Sequence, residues 1–143
     1  WKILAKTVYI DAGPIVAILS KRDEHHFWVS ERISEIDVNL VTTSIVIAEA
    51  FHILKKVPKG ISGLFQTIEE GFITVEESYP KNYHFIHEGV LKYHDIQASL
   101  GDLSLLSIAD DPKNSKIFTL DYDFHIYRDR SGNPLNLISP YNT

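Results

Sequence analysis

Cysteine is absent from the 143 residues of the sequence. This absence excludes disulfide bonds, thiolate metal sites and cysteine nucleophiles, and it favours a reducing compartment, so we expect a cytoplasmic protein. Long hydrophobic runs are also missing. Stretches such as 45–54 are too short and too interrupted to cross a bilayer, and the opening residues 1–6 lack a signal-peptide cleavage pattern. We therefore expect a soluble protein without a membrane partner.

An excess of basic residues is missing as well. The chain has 14 Lys and Arg against 19 Asp and Glu, which gives a formal net charge of −5. Proteins that hold nucleic acid through a broad basic surface neutralise its phosphates with Lys and Arg, so this charge argues against that mode of binding. If the protein handles nucleic acid, cations must help it.

The composition, with 44% hydrophobic and 23% charged residues, is that of an ordinary globular protein. No repeat or linker divides the chain, so we expect one domain over residues 1–143. Short β-like runs alternate with helical ones, which predicts an α/β fold, a three-layer α/β/α sandwich with a mostly parallel central sheet. The predicted strands are 7–10, 40–42, 72–75, 116–120 and 135–138. The predicted helices are 13–19, 26–36, an apolar helix that has Ser44 as its N-cap and ends at Lys56, 61–70, 82–93, and an apolar helix that follows the segment 99–102 and ends at Ala109.

Five acidic residues stand beside apolar sequence rather than on an evidently solvated face: Asp11, Glu49, Asp102, Asp121 and Asp123. Asp11 and Asp121 directly follow predicted strands, and ligands of parallel sheets bind beyond the carboxyl ends of the strands. Most of these acids also have an ordinary structural interpretation. Asp11 can cap a helix, Asp102 forms a capping-box pattern with Ser99, and the Asp121–Asp123 pair is typical of an Asx-turn.

Glu49 is the hardest of the five to explain structurally. Its helix is apolar, and no Lys or Arg stands three or four positions away. An unpaired carboxylate that is buried on such a helix is strongly destabilising unless something compensates its charge. Glu49 could instead lie on a narrow exposed stripe with His52. We favour a functional role, because a bound cation removes the cost.

The acids together predict an oxygen-bound hard cation, Mg²⁺ or Mn²⁺, because thiolate ligands are absent and the histidines do not form a ligand cluster. Adjacent His25 and His26 point in different directions on a helix, so we assign them no chemistry. Carboxylates around such an ion suit phosphodiester cleavage, in which the metal activates water and stabilises charge on the attacking and leaving oxygens. The acids also need the cation, because crowded carboxylates raise one another's pKa.

The chain resembles the PIN-domain nucleases over nearly its full length, and especially the VapC-like toxins of toxin–antitoxin pairs. Residues 8–19, followed by the acidic stretch 23–26, resemble the first strand, acidic turn and helix pair of that family. The segment 42–44 leading to Glu49 resembles its second acidic element. Asp102 after a Leu-Gly step resembles the third, and 119–124 resembles the fourth.

The resemblance implies a PIN-like fold and an endoribonuclease in which Asp11, Glu49, Asp102 and Asp121 are catalytic and bind Mg²⁺ or Mn²⁺. It further implies that Asp123 is an accessory metal ligand and that Ser44 and Thr119 orient the substrate. Ala12 stands where family members often carry a hydroxyl residue, so any role of that hydroxyl is absent here. The implied partners are an RNA substrate, a small cognate antitoxin protein and a second copy of the chain in a homodimer.

Two other functions stay open at this point. A phosphatase of the haloacid-dehalogenase kind would use the Asp121-Tyr122-Asp123 stretch after a strand, although little chain remains beyond it for further catalytic loops. A non-catalytic interaction module would use the acids to bind a basic partner, which agrees with the negative net charge. The variant Asp11→Asn separates a nuclease from a module, because it abolishes cleavage but leaves partner binding nearly intact.

Overall fold

Five parallel strands form one sheet in the computed structural model, which describes residues 4–109 and 111–142. They are β1 (Thr7–Ile10), β2 (Leu40–Thr43), β3 (Ile73–Glu76), β4 (Ser115–Phe118) and β5 (Leu137–Ile138). Their order in the sheet is β3-β2-β1-β4-β5, and every neighbouring pair is parallel. This arrangement confirms the predicted α/β class with a parallel central sheet.

Helices flank the sheet and complete the predicted three-layer α/β/α sandwich. In the described part of the chain they are α1 (Ala12–Leu19), α2 (His26–Ser34), α3 (Ser44–Leu54), α4 (Gly60–Glu69), α5 (Tyr79–Lys92) and α6 (Leu100–Ile108). The same ranges contain two short 3-10 helices: His94–Ile96 lies between α5 and α6, and Tyr122–His125 lies between β4 and β5. No helix within the described ranges is both long enough and apolar enough to span a bilayer.

The centre of the sheet is its most buried part. Val8 and Ile10 of β1 and Phe118 of β4 are fully buried, as expected for central parallel strands that are covered on both faces. On α1, Pro14 stands in the first turn, where a proline costs no hydrogen bond, and Ile15 packs into the same core. The core therefore fixes β1 and β4, the strands that precede Asp11 and Asp121 in the chain.

The helix boundaries differ from the prediction in several places. Ser44 is not the N-cap of α3: Thr43 is, and its Oγ1 accepts a hydrogen bond from the backbone N–H of Val46 at 3.1 Å. Thr43 still pairs with Glu76 of β3, so the strand runs one residue further than predicted and the helix begins at Ser44. Helix α3 then ends at Leu54 rather than at Lys56.

Other elements also begin or end away from the predicted residues. Helix α2 stops at Ser34, and α5 begins at Tyr79, with a non-helical backbone at Asn82 (φ −117°, ψ 20°) where the prediction placed the helix start. Strand β4 ends at Phe118 rather than at residue 120, although the Thr119 backbone N–H still donates to the Ile138 carbonyl at 3.1 Å. Strand β5 lies at the sheet edge as predicted but has only two residues. Residues 1–3, 110 and 143 of the predicted single domain lie outside the described residues.

Candidate active site

Thr119 joins the carboxyl ends of the two central strands. Strands β1 and β4 are neighbours with Ile10 opposite Phe118, so the residues that follow them leave the sheet side by side. The Thr119 hydroxyl donates to Oδ2 of Asp11 at 2.9 Å and accepts from the backbone N–H of Asp121 at 3.0 Å. One buried hydroxyl therefore fixes the first and the fourth predicted acidic elements relative to each other.

Asp11 is held at both of its carboxylate oxygens. Oδ1 accepts from the backbone N–H of Ala12 at 2.8 Å, which makes Asp11 the N-cap of α1, and Oδ2 accepts from Thr119. The residue is only 5% exposed. The structural interpretation of Asp11 as a helix cap is thus correct, and the same bonds also fix the side chain at the mouth of the sheet.

Asp102 occupies the first turn of α6. The Ser99 hydroxyl accepts from the Asp102 backbone N–H at 3.0 Å, so Ser99 caps the helix as the sequence pattern predicts. The carboxylate is 6% exposed, and its Oδ2 accepts from the phenol of Tyr127 at 2.8 Å. Tyr127 is fully buried and packs edge-on against the rings of Tyr93 and Phe124.

Tyr127 is the positioning residue that the sequence did not reveal. A buried tyrosine needs a partner for its hydroxyl, but nothing in the sequence identifies Asp102, which lies 25 residues earlier, as that partner. The sequence shows only a tyrosine four residues after Asp123, and its complete burial is seen in the structure alone.

Glu49 reaches the cleft from α3 and lies against the first turn of α6. A side chain at Gly101 would overlap with the Glu49 carboxylate, so the glycine is what allows this approach. The backbone N–H of Gly101 and the hydroxyl of Ser99 both stabilise the charged form of Glu49 and lower its pKa, although burial and the charge of Asp102 raise the pKa more. This close contact explains the unpaired acid on an apolar helix.

Asp121 and Asp123 form the outer side of the site. Oδ1 of Asp121 accepts from the backbone N–H of Asp123 at 2.8 Å, which is the predicted Asx-turn, and this bond caps the short 3-10 helix. Asp123 is half-buried, and burial and then the charge of Asp121 raise its pKa. The pair therefore forms the predicted turn and also lines the cleft.

The five predicted acids line one open cleft of about 590 Å³. None of the described residues that line it is a lysine or an arginine. Ser44 is not among these lining residues. It is exposed, and its hydroxyl donates to Oε1 of Glu77 at 3.0 Å. The structure thus brings together all the predicted carboxylates and the supporting Thr119, but it places Ser44 elsewhere.

Burial and mutual repulsion set the protonation of the cleft. Burial raises the pKa of Asp11 to about 6, and the charges of Glu49 and Asp121 add to the shift, while the bonds from Ala12 and Thr119 oppose it. Burial likewise raises the pKa of Asp102 to about 7, with a further contribution from Asp11. Burial and the Asp102 charge raise the pKa of the Tyr127 phenol, which therefore remains a donor.

The possible ligands in the cleft are carboxylate oxygens, which a hard divalent cation prefers. No lysine or arginine among the described lining residues compensates their charges. Within residues 4–109 and 111–142, however, no three acidic or imidazole side chains converge closely enough to hold one ion. The carboxylates are held instead by Thr119, Tyr127 and backbone N–H groups. Which of them bind a metal therefore stays a prediction.

Comparisons with known proteins agree with this architecture. VapC20 of Mycobacterium tuberculosis, described as a toxin that cleaves the sarcin-ricin loop, superposes with a TM-score of 0.72 at 13% identity, over 81% of this chain and 91% of that one. A chain of VapBC2 from Rickettsia felis, solved bound to a DNA fragment from its promoter, superposes with a TM-score of 0.59 at 17% identity, over 93% of this chain and 98% of that one. No curated protein matches the sequence.

The family assignment comes from the sequence itself. The model of the PIN domain matches residues 8–129, a segment that contains β1 without its first residue, the strands β2 to β4 and all five acids of the cleft. The match extends over most of the 143 residues. The chain therefore belongs to the PIN-domain family.

Proposed function

We propose that this protein is a metal-dependent endoribonuclease that hydrolyses RNA phosphodiester bonds and acts as the toxin of a toxin–antitoxin pair. The observation that carries the proposal is the cleft at the carboxyl ends of the central strands, where five carboxylates gather without a lysine or arginine among the described lining residues. Membership of the PIN-domain family and the fold shared with VapC20, a toxin that cleaves the sarcin-ricin loop, support the substrate class.

In this proposal Asp11, Glu49, Asp102 and Asp121 are the catalytic residues and hold Mg²⁺ or Mn²⁺, with Asp123 as an accessory ligand. When bound, the ion supplies an activated water and stabilises charge on the oxygens of the reacting phosphate. Asp11 and Asp102 are buried and fixed by hydrogen bonds, which suits ligands. Glu49 is less buried and has a raised pKa, which suits an acceptor of the proton from water.

Thr119 acts as a positioning residue rather than as a group that touches RNA. It is fully buried, and its hydroxyl is already engaged with Asp11 and Asp121. Ser44, for which the family resemblance implied the same kind of role, bonds to Glu77 outside the cleft. We therefore propose an orienting role for Thr119 alone, exerted through the two acids.

The proposal includes partners and a place of action. VapBC2 carries the name of a two-component complex, and by analogy we expect a small cognate antitoxin that covers the acidic cleft. We also expect one domain over the chain, a homodimer, and action in the cytoplasm, the last because cysteine is absent. A monomer in light scattering at micromolar concentration would contradict the dimer.

A non-catalytic module is the alternative that the negative charge still favours. The five acids would then bind a basic partner without chemistry. The haloacid-dehalogenase alternative has lost its basis, because Asp121 and Asp123 lie within the segment matched by the PIN-domain family. Asp11→Asn separates the nuclease from the module, since it removes cleavage in the first and leaves partner binding nearly intact in the second.

A cleavage assay tests the proposal: purified protein is incubated with single-stranded or structured RNA in the presence of Mg²⁺, Mn²⁺ or EDTA. We expect cleavage only with a divalent cation, loss of cleavage in Glu49→Gln, and wild-type cleavage in Glu77→Gln, a matched change outside the cleft. The Glu49→Gln sample also excludes a contaminating nuclease. Equal cleavage in EDTA and in Mg²⁺ would refute the metal-dependent mechanism.

A further inference from the structure

Three rings form an aromatic cluster at the rim of the acidic cleft: Tyr122, His125 and Tyr141. The Tyr122 and His125 rings stack with centroids 5.0 Å apart and an interplanar angle of 16°. Tyr141 stands edge-on to Tyr122, with centroids 5.9 Å apart at 78°. Tyr122 and Tyr141 both line the cleft that contains the five acids. The rings are thus part of the same site.

One hydrogen bond, between His125 and Asn142, joins the two distant segments that carry the rings, and two local contacts support it. The His125 ring contacts the Tyr122 carbonyl through Nδ1 at 3.2 Å and Oδ1 of Asn142 through Nε2 at 3.3 Å. The backbone N–H of Tyr141 donates to the Ser139 hydroxyl at 3.1 Å. The segment after β5 is therefore tied to the 3-10 helix that carries Tyr122, and this places Tyr141 at the cleft.

The two tyrosines face solvent rather than the core. Tyr122 is 58% exposed and Tyr141 is 45% exposed, whereas Phe124 and Tyr127 from the same stretch of chain are fully buried. Single exposed apolar residues are common on proteins, but neighbouring exposed rings that line a polar cleft are informative. These rings do not serve the core, so they are available to a ligand.

The charge of the cleft limits how it can hold RNA. Because no lysine or arginine occurs among its described lining residues, neutralisation of phosphates by side chains is not available there. Stacking of unpaired bases on aromatic rings does not depend on charge and accepts any base. Tyr122 lies between Asp121 and Asp123 in the chain and lines the same cleft, so a nucleotide whose base stacks on its ring would lie beside the acids.

We propose that Tyr122, His125 and Tyr141 form a stacking platform that binds an unpaired base beside the scissile phosphate of RNA. His125 covers one face of the Tyr122 ring, and the base stacks on the exposed surface that remains. The inference rests on the proposed nuclease function and adds a substrate class to it: single-stranded or looped RNA, with little dependence on base identity. Paired RNA is excluded, because its bases are stacked within the helix.

Cleavage kinetics on a single-stranded oligonucleotide test the platform. We expect Tyr122→Leu to raise KM roughly five- to 150-fold, the range that base stacking supplies, with kcat within about twofold of wild type. Tyr122→Phe keeps the ring and should retain the wild-type KM. Tyr83→Leu replaces an exposed tyrosine of α5 that does not line the cleft, and it should change nothing. Tyr141→Leu serves as the second variant if Tyr122→Leu does not fold.

A binding experiment separates the platform from the hydrolysis. In a Glu49→Gln background with Mg²⁺, a labelled oligouridylate decamer is compared with an abasic ribose-phosphate decamer of equal charge. We expect the base-bearing decamer to bind more tightly, and Tyr122→Leu to remove that preference.

The two experiments fail independently of each other. Metal-dependent cleavage with KM and base preference unchanged in Tyr122→Leu would overturn the platform and leave the nuclease standing. A base preference that depends on Tyr122 in a protein that cleaves no RNA would support the platform and overturn hydrolysis. Equal binding of the two decamers by the protein with its rings intact would overturn the platform whatever the cleavage assay gives.

Discussion

Asp102→Asn is expected to stabilise the metal-free protein at alkaline pH. Burial first, and then the charge of Asp11, raise the pKa of the Asp102 carboxyl from 3.8 to about 7 in the folded state. A folded-state pKa above the unfolded-state value means that the unfolded chain loses the proton first as the pH rises. Stability therefore falls between about pH 4 and about pH 7, and the full penalty is present above that interval.

The magnitude follows from the shift. Each pKa unit corresponds to about 1.4 kcal/mol, so a shift of about three units corresponds to roughly 4 kcal/mol as an upper value. Asp11 titrates in the same range and shares part of this energy with Asp102, so we expect about 1–3 kcal/mol for the single change. The asparagine is neutral, and its amide oxygen can still accept from Tyr127, so no buried hydroxyl loses its partner.

Urea unfolding in EDTA at pH 8 and at pH 4.5 measures this effect. We expect the free energy of unfolding of Asp102→Asn to exceed that of wild type at pH 8, and the difference to shrink strongly at pH 4.5, where Asp102 is protonated in the folded protein. Asp23→Asn, a change outside the cleft, serves as the control. A variant that is less stable than wild type at pH 8, or a difference of equal size at both pH values, would mean that a charged Asp102 does not destabilise the folded protein.

Three further predictions concern the support of the cleft. Tyr127→Phe removes the hydrogen bond to Asp102, and we expect a loss of about 1 kcal/mol in unfolding free energy at neutral pH together with slower RNA cleavage; unchanged cleavage would show that Asp102 needs no such support. Gly101→Ala displaces the Glu49 carboxylate. We expect the cleavage rate to fall at least about tenfold, which corresponds to about 1.4 kcal/mol in activation free energy, and the circular dichroism spectrum to remain unchanged. Mg²⁺ should raise the Tm of wild type more at pH 8 than at pH 5, because deprotonated acids bind it better; equal shifts would argue against the carboxylates as its ligands.

The sequence predicted the parts of the site that depend on local order along the chain. Asp11 and Asp121 were accessible to prediction because acids after buried parallel strands collect at one edge of the sheet. Their helix-cap and turn patterns were also correct, and these patterns proved compatible with a place in the cleft. Each of these residues therefore has a structural role and also lies in the cleft.

The parts that the sequence missed depend on contacts between distant segments. The local sequence cannot distinguish Thr43 from Ser44 as the N-cap of α3, because both residue types are good N-caps. The pairing of β2 with β3 decides between them. The bond from Tyr127 to Asp102 and the contact of Glu49 with Gly101 arise only when separate helices pack. Contacts of this kind can be identified only when the fold is known.

A titration with Mn²⁺ followed by electron paramagnetic resonance shows whether the acids of the cleft bind a divalent cation. Wild type, Asp11→Asn and the control Asp23→Asn are compared at pH 8. We predict that wild type and the control bind Mn²⁺ with the same affinity and that Asp11→Asn binds it at least about tenfold more weakly, an energy of about 1.4 kcal/mol. Equal affinity in all three proteins, or no binding by wild type, would mean that the acids of the cleft do not hold the cation.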